Sequence, residues 1–261
     1  MQLLPLTDAE FRRLDYRVTE QVFASHNELG RFCDEVIYKN DIARRLQHCD
    51  LGDVLREVPA VVTHDEFRKT YYLDLVVGPA VIYEFKTATA LTNEHQAQLL
   101  NYVLLLGGQR GKLFNLRPPS VEHFFINTKL TPLRRREFTI DSRRWQESDE
   151  RSTALHRRLI ALLNDWGAFL ELNLYEEALT FFLGGEVLIN RPVEISQDGV
   201  VLGEQRLRLL TPDTAFRLTA LTQDQPQCEV HLRRFLDHTK LKALQWINFN
   251  HHEIELVTLA K

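Results

Sequence analysis

The 261-residue chain is poor in cysteine, has no long apolar run and carries no strong excess of charge. Its three cysteines, Cys33, Cys49 and Cys228, lie far apart and form no CxxC pair. That argues against a disulfide framework, a zinc ribbon or an iron–sulfur cluster. No stretch approaches the roughly 18 apolar residues that a membrane helix needs. The opening MQLLPLTDAEFRR lacks the basic n-region and the apolar length of a secretory signal. The expected compartment is a reducing cytoplasm, with no membrane partner. Lys and Arg number 32 against 36 Asp and Glu, a net charge of −4. The whole chain is therefore no electrostatic glove for nucleic acid.

What is present is ordinary globular composition, 44% hydrophobic and 26% charged. The length allows one large domain or two of about 130 residues. Residues 1–140 are balanced in charge, and the negative excess lies beyond them. Arg134-Arg135-Arg136, with Arg143-Arg144 after it, is either a solvated run or a phosphate-contact patch.

Helical spacing of apolar residues runs over 17–46. VLREVPAVVTHDEFRKTYYLDLVVGPAVIYEFK then predicts three strands, with turns at His64-Asp65 and Gly78-Pro79. TNEHQAQLLNYVLLLGG predicts a helix capped by Thr92 or Asn93 and ended by Gly107-Gly108. Strands KLFNL and EHFFIN follow. The order is α-β-β-β-α-β-β, and the second half repeats it. Gly30 pairs with Gly167, Phe32 with Phe169 and Tyr38 with Tyr175. VLREVP pairs with VLINRP, Pro79 with Pro212 and Asn115 with Asn248. The steady offset over these landmarks predicts an internal duplication. The polar stretch 139–152 is the expected linker between domains 1–138 and 153–261.

Charge interrupts the most apolar hairpin. Glu84 and Lys86, two apart in a strand, project to one side, and Asp74 on the neighbouring strand can face them. Two carboxylates at one spot repel each other when buried. A divalent cation resolves the conflict, since hard cations take carboxylate, water and phosphate oxygens. A buried Asp–Lys ion pair beside an exposed Glu is the plainer alternative. Glu35 and Tyr38 share one helix face, and Gln98 and Tyr102 share another.

Asp74 followed by Glu84-Phe85-Lys86 resembles the D…(D/E)xK signature of the PD-(D/E)XK nuclease superfamily. Gln98-x-x-x-Tyr102 resembles the extra motif of its RecB-like branch. HNELGRFCDEVIY, YLDLVV, IYEFK, HQAQLLNY and KLFNL, in that order, are similar to the bacterial GxxExxY family. The glycine expected three before Glu35 is Phe32. The resemblance spans roughly residues 17–128. It implies an α/β fold of two tandem restriction-endonuclease-like domains, each a central mixed sheet flanked by helices, docked as an intramolecular pseudo-dimer. It also implies hydrolysis of phosphodiester bonds in nucleic acid, DNA rather than RNA. Glu35, Asp74, Glu84 and the Phe85 carbonyl would hold Mg2+ or Mn2+. Lys86 would serve the attacking water, Gln98 would steady Lys86 or the phosphate, and Tyr102 would shape the wall. The alternative is a non-catalytic or partner-activated subunit of a repair or defence complex. A protein partner is possible, and a monomer is expected over a homodimer.

The second copy has lost these groups. Carried across, Asp74 becomes Arg208, Glu84 Arg217, Lys86 Thr219, Gln98 His231, Tyr102 Phe235 and Glu35 Leu172. Arginine has no acceptor and cannot ligate a cation. Arg208 and Arg217 would contact an anion, or pair with Glu204 or Asp213. His251-His252 reads as surface or structural, and Cys33 as core packing.

Overall fold

A computed structural model describes residues 2–78 and 80–261. Pro79, and with it half of the expected Gly78-Pro79 turn, lies outside the described residues. The chain divides into two compact units, Met1–Pro132 and Leu133–Lys261. No helix among the described residues is long and apolar enough to cross a membrane.

In the first unit α1 (Asp8–Leu29) opens on a capping box, in which Thr7 and Glu10 satisfy each other's backbone amides. It ends at Gly30, whose φ of 73° suits a residue without Cβ. The helical spacing over 17–46 predicted one run. The structure breaks it there and restarts it as α2 (Glu35–Gln47). Tyr38 of α2 donates its hydroxyl back to the Gly30 carbonyl and so latches the two helices.

β1 (Val54–His64), β2 (Phe67–Val77) and β3 (Val81–Lys86) form an antiparallel meander. α3 (Asn93–Leu105), capped by Thr92, crosses to β4 (Arg110–Asn115), which runs parallel to β3. β5 (Glu122–Asn127) returns antiparallel. The sheet order is β1-β2-β3-β4-β5, so β3 is central. Val18, Val22, Tyr38, Ile42 and Leu46 from the helices pack on Leu75, Val77, Tyr83 and Phe85. Each such side chain contributes about 1.5–3 kcal/mol when buried. Several together outweigh the few kcal/mol that an imperfectly paired buried carboxylate costs. On α3, Leu99 and Val103 lie so close to Gly111 that a Cβ there would come within 2.8 and 2.9 Å of them. The bare glycine lets this helix sit down on β4.

The second unit begins in the short α4 (Pro132–Arg135) and continues with β6 (Thr139–Arg144), α5 (Glu150–Trp166), α6 (Leu172–Phe182) and α7 (Glu186–Ile189). β7 (Asn190–Gln197), β8 (Val200–Thr211) and β9 (Thr214–Thr219) follow. Then come α8 (Gln225–Asp237), β10 (Ala243–Asn250) and β11 (Glu253–Ala260). The order β7-β8-β9-β10-β11 has the same pairing senses as the first sheet. The parallel register of Ile82 with Gly111 through Lys86 with Asn115 recurs as Ala215 with Leu244 through Thr219 with Asn248. The tyrosine latch recurs too, with Tyr175 donating to the Gly167 carbonyl.

Three expectations need adjusting. The polar stretch 139–152 holds β6, which pairs with β11 and gives the second sheet a sixth strand, and then Asp149, the cap of α5. Val187 and Leu188, read as strand like Val54 and Leu55, lie in α7, because Gly184 and Gly185, both at positive φ, turn the chain before it. The arginine cluster serves a helix end rather than a free surface. Arg135 is buried and donates to the Trp166 carbonyl, and Arg136 donates to that of Asp165. Both neutralise the carbonyls left over at the end of α5. His251 lies at the β10–β11 turn and stacks on Phe169 at 5.8 Å. Cys33 packs against the first core.

Candidate active site

The β2–β3 ladder runs from Val77 with Val81 to Leu75 with Tyr83. One step further the register sets Asp74 opposite Glu84, and there the carboxylates take over from the carbonyls. Glu84 Oε1 accepts from the Asp74 amide at 3.0 Å, and Asp74 Oδ2 accepts from the Phe85 amide at 2.9 Å. Each carboxylate thus caps the other strand. Glu57 of β1 lies at the same level, between the pairs Arg56 with Leu75 and Val58 with Leu73. Its φ of 47° is uncommon for a residue with Cβ and marks local backbone strain within the strand. Three neighbouring strands therefore carry one row of acids: Glu57, Asp74, Glu84.

A cation not expected from the motifs sits on this row. Lys39 Nζ lies 2.8 Å from Asp74 Oδ1, 3.0 Å from Glu57 Oε1 and 3.6 Å from Glu35 Oε1. Burial opposes its charge, but the bonds and charges of Asp74 and Glu57 prevail and hold the ammonium above its ordinary value. Glu84 is 2% exposed. Burial, then the neighbouring Asp74 charge, push its carboxyl up to about 8, against the Asp74 amide, Lys86 and Lys39. The alternative of an Asp–Lys pair beside an exposed Glu is half met: the pair exists, but with Lys39, and Glu84 is buried.

Lys86 Nζ lies 3.9 Å from Glu84 Oε2. The chain beyond it is clamped by Asn115, which accepts from the Ala88 amide at 3.1 Å and donates to its carbonyl at 2.9 Å. Glu35, the first residue of α2, reaches the row through Lys39. Phe85 turns its ring into the helical core and gives its amide to Asp74. Gln98 gives its amide to the Tyr102 hydroxyl at 2.7 Å, and Tyr102 meets Tyr71 edge-on at 5.7 Å. Among the described residues no hydrogen bond joins Gln98 to Lys86. Phe32, in place of the expected glycine, is exposed and lies under the Arg31 guanidinium, outside the core.

Among the described residues no group of three or more His, Cys, Asp or Glu stands ready as a metal cage. The donor set nonetheless suits a hard cation. Mg2+ takes one or two carboxylates and completes its shell with water and phosphate. Asp74 and Glu84 supply two, and burial with the neighbouring Asp74 charge raises the Glu84 carboxyl. The Lys39 ammonium already stands in for a cation at Asp74. Lys39 and Glu57 carry no motif of their own. Lys39 four residues after Glu35 was the readable sign, since that spacing favours an ion pair.

The second unit keeps the supports and reverses the charge. Asn248 accepts from the Leu221 amide and donates to its carbonyl, as Asn115 does to Ala88. Its β8–β9 register pairs Arg208 with Phe216 and Leu209 with Ala215, then shifts before Thr211. The next step sets Leu207, not Arg208, opposite Arg217, and β7 sets Arg191 opposite Leu207. The shift is what displaced the sequence alignment by one residue. Arg208 pairs with Glu176 at 3.3 Å, rather than with Glu204 or Asp213.

No curated protein and no solved structure matches the chain. Residues 12–124, which contain every acid, lysine, amide and phenol of this site, match a family model of the PD-(D/E)XK nuclease superfamily.

Proposed function

We propose that the first unit is a divalent-cation-dependent phosphodiesterase that cuts nucleic acid, DNA rather than RNA. The observation that carries this reading is the mutual capping of Asp74 and Glu84, two nearly buried carboxylates with Lys86 alongside. A purely structural site gains little from burying two acids side by side. Asp74, Glu84, Glu35 and the Phe85 carbonyl would hold Mg2+ or Mn2+. The bound cation would supply Lewis acidity toward a phosphate oxygen and a water. Lys86 would orient that water and hold its proton at Nζ. Gln98 and Tyr102, bonded to each other, would form the wall on the α3 side.

In this reading the second unit descends from a duplication, has lost the chemistry and docks on the first as a pseudo-dimer, so that the chain is monomeric. A sedimentation experiment that finds only dimers would remove that part. The reading as a nuclease is tested by incubating the protein with single- and double-stranded DNA and RNA in Mg2+, Mn2+ or EDTA. Cleavage should need the metal, and Asp74→Ala or Lys86→Ala should lower it at least ~100-fold. Unchanged rates in both variants would refute the assignment.

A second reading has its own observation. Lys39 neutralises the row and engages Asp74 and Glu57. That favours a subunit whose site is silent until a protein partner or the substrate moves Lys39. Metal-dependent cleavage by the purified chain alone would exclude it.

A further inference from the structure

At the place where the first unit gathers acids, the second has a cavity of about 340 Å³. Its lining includes Arg206, Arg208 and Arg217 and apolar residues, among them Leu218 and Phe235. Glu176 is the carboxylate among them, and it balances one guanidinium through its pair with Arg208. Arg206 is engaged with the Asn190 carbonyl. The other donors are not used up. Arg208 Nε is buried with no partner. Arg217 is exposed and makes no hydrogen bond or ion pair with the described residues. A buried donor without an acceptor destabilises, and such an atom at a cavity wall calls for an acceptor from outside.

We propose that this cavity binds a phosphate group carried on a flat, largely apolar body, which is the chemistry of a nucleotide, free or at the end of a nucleic-acid strand. Three features select that class. Guanidinium forks match the oxygens of phosphate and bond them in pairs. The volume exceeds what a bare phosphate fills and lies at the low end of the range for small organic ligands. The apolar residues of the lining, Phe235 among them, offer a surface against which a base can pack. Glu176 is half of an internal balance, since burial pushes its carboxyl up while Arg208 and Arg217 pull it down. The inference does not depend on the nuclease reading, because its residues belong to the second unit alone.

The full chain, kept in EDTA so that metal-dependent cleavage is off, is titrated by calorimetry. The probes are deoxyadenosine monophosphate, deoxyadenosine, inorganic phosphate, and one short oligonucleotide with either a 5′-phosphate or a 5′-hydroxyl. The nucleotide should bind at least ~10-fold more tightly than the nucleoside or inorganic phosphate alone. Arg217→Gln, on an exposed position that tolerates exchange, should weaken it ~10-fold or more. Glu176→Gln should strengthen it, because the competing acid is gone, and that gain separates binding from misfolding. A free nucleotide as ligand is indicated if the monophosphate binds as well as the 5′-phosphorylated strand. A strand end is indicated if only the phosphorylated strand binds. Failure of both phosphorylated probes to bind, or equal binding to Arg217→Gln and the parent, would overturn the proposal. Neither result bears on cleavage at Asp74 and Glu84.

Discussion

Lys39 and Glu176 hold the same station in the two units and carry opposite charges. Each directly follows the tyrosine that latches its helix to a glycine carbonyl, Tyr38 to Gly30 and Tyr175 to Gly167. Lys39 meets Glu35, Glu57 and Asp74, whereas Glu176 meets Arg208. The helix residue is basic beside the acids of the first unit and acidic beside the arginines of the second.

Removing Lys39 should therefore unbalance the acid row. Breaking a buried pair from one side costs ~3–5 kcal/mol, and the half-exposed Glu57 puts the expected loss for Lys39→Ala near ~3 kcal/mol. Mn2+ should then restore more stability to the variant than to the parent, since it replaces the lost positive charge. Denaturant unfolding in EDTA and in Mn2+ measures both. A variant as stable as the parent in EDTA would take Lys39 out of the balance.

Glu84 sets a pH dependence whose sign is fixed. Its carboxyl is raised from 4.5 to about 8 in the folded chain, so between those values the folded state binds a proton that the unfolded state does not. The contribution to stability is full below pH 4.5 and falls as pH rises toward 8. The slope is at most ~1.4 kcal/mol per pH unit. Glu84→Gln should flatten this fall, so that the variant gains on the parent from pH 6 to pH 8.5 in EDTA. Parallel melting curves at both pH values would show that Glu84 is already ionised.

The asparagine clamps should be equal in stability and unequal in function. Asn115→Ala and Asn248→Ala each remove the bonds to one backbone amide and carbonyl, with those to Glu122 and the Arg117 amide for Asn115 and from Thr219 for Asn248, and should cost ~2–3 kcal/mol each. The Asn115 clamp holds the chain just past Lys86, so its loss should lower kcat more than it raises KM in the proposed nuclease. Asn248→Ala should leave kcat unchanged. Equal kcat losses from both would mean that the clamps act only through overall stability.

The strands were legible because apolar runs and turn residues coincide. The β1–β2 turn at Asp65 and the Thr92 cap fall where the residues suggested. The break at Gly30 was not, because the apolar spacing continues across it and only the left-handed φ reveals it. Asp74, Glu84 and Lys86 could be read as neighbours from strand alternation alone. Glu57 could not, since it stands among exposed residues of β1 and its role depends on the register with β2. The shift near Thr211 escaped for the same reason: a bulge alters pairing without leaving a clear mark in sequence.

The latch and the clamp share a property that reaches beyond either site. Tyr38, Tyr175, Asn115 and Asn248 all bond to main-chain atoms, and main-chain atoms are the same whatever side chain they carry. These four supports are thus indifferent to the side chains they span, whereas Asp74 and Glu84 themselves bond backbone amides of β2 and β3. Its two halves behave like one socket wired with opposite polarity. New ligand chemistry could be installed at Glu57, or at Arg191 and Arg217, without redesigning what keeps the strands in place.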